Sequence, residues 1–69
     1  MLMKYFYVIR TVDNKKYSYI VTQPLGNNIS LSDMYKEIMS NECIEVEGWK
    51  EKNKVVINTN HIVSIEKWL

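Results

Sequence analysis

Alanine is missing from this 69-residue chain; arginine, histidine, proline and cysteine occur once each, and glycine twice. A lone cysteine allows no internal disulfide and no four-thiolate metal site. Two glycines argue against long flexible linkers and against a Gly-rich loop that cradles phosphate. The apolar run between Lys4 and Arg10 is five residues long, too short for a signal-peptide core, and no small-residue cleavage site follows it. No stretch approaches the roughly 18 apolar residues of a membrane span. The chain is therefore expected to act in the cytoplasm, without a membrane, and with Cys43 as a reduced thiol. Neither sign of charge dominates: Lys plus Arg is 9 and Asp plus Glu is 8, a net charge of +1 that exerts no global attraction on polyanions.

What is present is the composition of one small globular domain, residues 1–69, with 46% hydrophobic and 25% charged residues. Lys, Asn and Ile are abundant, all encoded by AT-rich codons, and this points to a gene of a low-GC bacterium or one of its phages. Residues 3–12 and 16–22 are dense in aromatic and β-branched side chains, which predicts two strands. Asp13-Asn14-Lys15 supplies residues that tolerate positive φ, so a hairpin joins them. With Asn14-Lys15 as a two-residue turn, Val12 faces Tyr17, Arg10 faces Tyr19 and Val8 faces Val21. Pro24 ends the second strand, and Leu25-Gly26-Asn27-Asn28 reads as a loop. Ser30 with Asp33 resembles a capping box, with Ser32 a rival cap. Leu31, Met34, Tyr35, Ile38 and Met39 then fall on one face of a helix of about three turns.

Beyond Asn41-Glu42 the period returns to two. Ile44, Val46 and Gly48 alternate with Cys43, Glu45, Glu47 and Trp49; residues 50–53 are a polar turn. Residues 54–58 are a short apolar strand expected at the sheet's centre, and residues 61–68 form the last strand. The order β-β-α-β-β-β predicts an α+β fold, an antiparallel sheet or small, partly open barrel with one helix packed on it. Both faces of the first strand are apolar. Tyr5, Tyr7 and Ile9, on the face away from the expected helix, call for a homodimer or a partner surface, unless a curled sheet buries both faces itself.

Catalytic equipment is sparse. Cys43 and His61 could form a thiolate dyad, but no oxyanion-hole turn or orienting group accompanies them. A half-buried Cys and a turn-region His bonded to a backbone carbonyl are the better readings. No ligand spacing supports a metal site, and no cofactor is expected. Glu42, Glu45, Glu47 and Glu51 lie along one strand and its turn. Glu45 and Glu47 are about 7 Å apart on one face, a solvated strip or a contact for a basic partner rather than an acid pair across a cleft. Met34 and Met39 read as core filling.

The aromatic hairpin is the strongest binding signal. Lys4, Arg10, Lys15 and Lys16 interleave with Tyr5, Tyr7, Tyr17 and Tyr19, and Lys50, Lys52 and Lys54 add a second basic site. This pattern suits single-stranded nucleic acid, by stacking and phosphate contact, and equally suits protein, where Tyr, Trp and Arg are the usual anchors. Trp49 and Trp68, beside turns or ends, are further interface candidates.

Residues 55–66, Val-Val-Ile-Asn-Thr-Asn-His-Ile-Val-Ser-Ile-Glu, resemble the closing hairpin of small uncharacterised β-rich proteins of low-GC bacteria and their phages. The resemblance covers about a fifth of the chain, implies a small β-rich fold and carries no catalytic residue. The expectation is a non-catalytic, phage-encoded protein-binding module acting stoichiometrically on a host protein, as an inhibitor or adaptor. Its contact residues are expected to be Tyr5, Tyr7, Arg10, Tyr17 and Tyr19, then Trp49 and Lys52. A nucleic-acid module on the same hairpin is the alternative, and a structural dimer the third reading.

Overall fold

A computed structural model describes residues 2–24 and 29–68; the loop read at Leu25-Gly26-Asn27-Asn28 lies outside the described residues. The aromatic and β-branched segments form β1 (Leu2–Thr11) and β2 (Lys16–Pro24), joined as an antiparallel hairpin. Three further strands, β3 (Cys43–Gly48), β4 (Lys54–Asn58) and β5 (Ile62–Lys67), complete a five-stranded antiparallel sheet ordered β4-β3-β2-β1-β5. One helix, α1 (Leu31–Met39), precedes β3. The fold class and element order are those the periodicities predict.

The hairpin register is not the predicted one. Tyr7 pairs with Tyr19, Ile9 with Tyr17 and Arg10 with Lys16. The Asn14 N–H donates to the Thr11 carbonyl (2.9 Å), the Thr11 N–H donates to the Lys15 carbonyl (3.1 Å), and Asn14 takes φ 64°. That is a three-residue loop closed by a left-handed residue rather than a two-residue turn. Val12 leaves the ladder and is exposed, and every facing pair moves by an odd number of residues. Such a shift exchanges the faces of a strand. Tyr5, Tyr7 and Ile9 therefore turn toward the helix, not away from it: Tyr7 and Ile9 are 1% and 0% exposed, with Tyr5, Tyr17, Tyr19 and Val21 packed against the same core. The second apolar face that called for a dimer or partner is this chain's own interior.

The helix starts where its cap predicts. The Ser30 hydroxyl, on extended backbone, accepts from the Asp33 N–H at 3.2 Å, so Ser30 rather than Ser32 is the cap. It stops because Ser40 and Asn41 satisfy its last carbonyls, both side chains donating to the Glu37 carbonyl (2.6 and 3.1 Å). Met34 and Ile38 are buried and Met39 is half-buried, while Leu31 and Tyr35 at the margin of the stripe are exposed.

The core joins Tyr7 and Ile9 to Met34 and Ile38 of α1, Ile44 and Val46 of β3, Ile57 of β4, and Ile62 and Ile65 of β5. Each such aliphatic, fully buried, contributes about 1.5–3 kcal/mol. β4 is an edge strand, not the central one its apolar run suggested. Its three aliphatics alternate, with Ile57 buried and Val55 packed on the core, and Val56 64% exposed.

Two irregularities curl the sheet into a half-barrel. β2 and β3 pair only at Tyr17↔Gly48 and Ser18↔Glu47, diverging beyond. On the other side, Arg10 pairs with Ser64 but Thr11 with Ile62, so Val63 bulges out of β5. A single 3₁₀ turn (Thr59–His61) links the two edge strands. Thr59 is buried there, donating its hydroxyl to the Asn41 carbonyl (2.7 Å), with the Glu42 carbonyl at 3.1 Å and accepting from the Thr59 N–H. Among the described residues no helix is long and apolar enough to cross a membrane.

Candidate functional site

Alternation along β1 sends Lys4, Phe6, Val8 and Arg10 to the face opposite Tyr7 and Ile9. The register sets Phe6 beside Ile20 and Val8 beside Ser18. Val8 is only 4% exposed although it lies outside the main core. The reason is a second cluster on this outer face. Phe6, Val8, Ser18 and Ile20 share a groove of about 530 Å³ with Glu47, Trp49, Lys52 and Trp68.

Two turns build its walls. In the β3–β4 turn the Gly48 N–H donates to the Asn53 carbonyl (2.9 Å) and the Lys52 N–H to the Gly48 carbonyl (3.2 Å). A Cβ on residue 48 would stand 2.5 Å from the Asn53 side-chain oxygen, so any other residue there would turn that side chain aside. The turn places Trp49 over the sheet and sets Lys52 at φ 55°, a left-handed conformation uncommon for residues other than glycine and asparagine. From the other side the Trp68 N–H donates to the Phe6 carbonyl (2.8 Å), continuing the β5 ladder. The two indoles meet edge to face, centroids 5.3 Å apart, and Lys16 Nζ lies 5.7 Å from the Trp49 ring centroid.

The residues singled out from the sequence thus divide. Arg10, Trp49 and Lys52 belong to the outer face or its turn. Tyr7 is core, and Tyr5, Tyr17 and Tyr19 are half-buried on the inner side, where Lys67 Nζ lies 5.2 Å from the Tyr5 ring centroid. No single hairpin face presents all seven. Burial pushes the Tyr7 phenol above its ordinary range, with Tyr5 and Glu37 adding to the effect. Phe6, Val8 and Ile20 form the groove floor that the predicted register hid.

Charges on the outer face are paired across strands: Arg10 with Glu66 (3.5 Å) and Lys54 with Glu47 (3.3 Å). These are solvent-accessible pairs that orient side chains more than they stabilise the fold. Lys15 and Asp13 form a third pair (3.8 Å) at the hairpin loop. Asp13 accepts from the Thr11 hydroxyl, and that bond above all holds its carboxyl below the ordinary range; desolvation is the next largest effect and opposes it, and its own backbone amide, Lys15 and His61 add to the lowering. Lys16, Lys50 and Lys52 have no carboxylate partner among the described residues. Lys4 lies farther along β1, paired with Thr22.

Cys43 is exposed at the start of β3 rather than half-buried. His61 is exposed beside Thr11, Asp13 and Tyr17 in a different hollow; its backbone carbonyl, not its ring, makes the bond, accepting from the Val12 N–H (2.8 Å). Glu42, Glu45 and Glu51 are exposed, and Glu47, paired with Lys54, is half-buried. Among the described residues no three His, Cys, Asp or Glu side chains cluster as a metal site would require. No protein-family model, curated protein or solved structure matches the chain.

Proposed function

We propose that this chain is a non-catalytic protein-binding module whose contact surface is the outer groove. The observation that carries the reading is the pairing of both tryptophans of the chain over an apolar floor. Trp68 is 62% exposed and Ile20 39%, which leaves large apolar surface in water at a preformed concavity. Aromatic anchors in such a setting supply most of the energy of protein contacts. The codon-linked composition and the closing-hairpin resemblance support a phage-encoded protein of this kind, acting in the cytoplasm on a host protein as inhibitor, anti-defence factor or adaptor.

The test is affinity capture from the lysate of a low-GC bacterium with the wild-type chain and with Trp68→Ala, each with and without nuclease. The expected result is one dominant protein that survives nuclease and is lost with the variant. Single-stranded nucleic acid is the second reading, favoured by Lys16 over Trp49 with Lys50 nearby. Recovery of nucleic acid, or of many proteins lost on nuclease treatment, would replace the first reading with it.

A further inference from the structure

We infer that the groove takes an acidic, extended segment of another protein, which seats one bulky apolar side chain on the floor of Phe6, Val8 and Ile20. This rests on the protein-binding reading and adds the chemistry of the partner. The three ion pairs remove Arg10, Lys15 and Lys54 together with Glu66, Asp13 and Glu47 from the balance. What remains is unevenly distributed. Lys16, Lys50 and Lys52 stand around Trp49 with only Glu51 among them. Asp33 and Glu37 lie on the helix with Lys36; Glu42 and Glu45 lie at or near the start of β3, Lys4 along β1 and Lys67 at the end of β5. A chain of net charge +1 therefore presents a local positive rim beside its apolar groove, which complements carboxylates and not a basic segment.

The position of Lys52 adds a second observation. A lysine held at φ 55° gives up backbone stability that glycine would keep, and such strained residues gather at binding sites. Lys52 lines the groove together with Trp49 and Glu47. The occupant is protein rather than nucleic acid because the indoles cross at 79° and do not form a parallel slot for a base. The apolar floor of Phe6, Val8 and Ile20 suits an aliphatic or aromatic side chain.

A random dodecapeptide display library panned against the immobilised chain tests this, with enriched peptides then measured by emission of Trp49 and Trp68. The expected peptides carry one Phe, Leu, Ile or Trp flanked by Asp or Glu. Their affinity should fall about tenfold in Trp68→Ala and several-fold in both Lys52→Glu and Lys52→Gln. It should also weaken several-fold between about 50 and 300 mM salt. The glutamine variant separates lost attraction from added repulsion, and circular dichroism of each variant verifies the fold. Enriched peptides without acidic bias, or indifferent to Lys52, overturn the acidic segment while leaving the protein-binding reading intact. Failure to enrich any peptide overturns the segment proposal, and the capture experiment then judges the module alone. Emission changes with oligothymidylate but not with peptide overturn both. An emission shift that tracks dimerisation in light scattering, absent in Trp68→Ala, identifies the occupant as a second copy and overturns the proposal.

Discussion

Trp49 and Trp68 meet edge to face with ring centroids 5.3 Å apart and planes at 79°, one from the β3–β4 turn and the other from the segment following β5. Their contact closes the outer groove and ties together strands that do not pair with one another. Edge-to-face aromatic pairs contribute about 0.5–1.5 kcal/mol beyond the area they bury. With Trp68 largely in water, the area term is small. Trp68→Ala should therefore lower unfolding free energy by about 1 kcal/mol in urea titration without changing the far-ultraviolet spectrum. The emission of Trp49, then the sole tryptophan, should move to longer wavelength.

Lys52 sits at φ 55°. The left-handed region costs a residue with a Cβ roughly 1–2 kcal/mol, whereas glycine loses about 0.5–1 kcal/mol more backbone entropy on folding. The first effect is the larger. Lys52→Gly should raise the urea midpoint, by a stability increment of about 0.5–1 kcal/mol. An unchanged or lower midpoint would show that the lysine side chain stabilises the turn by more than its backbone costs.

Thr59 is buried and its hydroxyl serves carbonyls at the join of α1 and β3. Valine keeps the shape and removes the donor to the part-buried Asn41 carbonyl, at a cost of about 1 kcal/mol. Thr59→Val should show that loss in denaturation, and Thr59→Ser, which retains the hydroxyl, should lose less than Thr59→Val.

Burial raises the Tyr7 phenol above its ordinary value near 10. In the unfolded chain the same phenol ionises first as pH rises, so the unfolded state binds fewer protons above about pH 10 and stability falls with pH there. Below that value the contribution is fully present, and it is lost as pH climbs through the folded-state value. Tyr7→Phe should flatten this alkaline decline, measured as the urea midpoint from neutral pH upward.

Elements were legible where a local cause acts alone. The helix could be read from Leu31 to Met39 because its apolar spacing and the Ser30 cap are both local. Glu45 took the solvent side that alternation assigns. The hairpin faces were not legible, because a single left-handed residue, Asn14, lengthens the loop by one and reassigns every partner of Tyr5 through Ile9. Nor was the place of β4: three aliphatics in a row look central, yet one of them faces water. Trp49 and Trp68 could be marked as interface candidates by their positions beside turns and ends. Their contact could not, since it joins the β3–β4 turn to the segment after β5, across strands that do not pair with one another.

The two-pair bridge between β2 and β3 has a dynamic consequence. A β3–β4 ribbon joined to its neighbour at Tyr17↔Gly48 and Ser18↔Glu47 alone can open as a cooperative unit while β1, β2 and β5 stay protected. Amide exchange should be faster across Cys43–Asn58 than in the centre of β1. The groove straddles this seam, with Glu47, Trp49 and Lys52 on one bank and Phe6, Ser18, Ile20 and Trp68 on the other. Anything held there fastens the ribbon to the rest of the sheet, so occupancy is written into the opening rate of strands that the occupant need not touch.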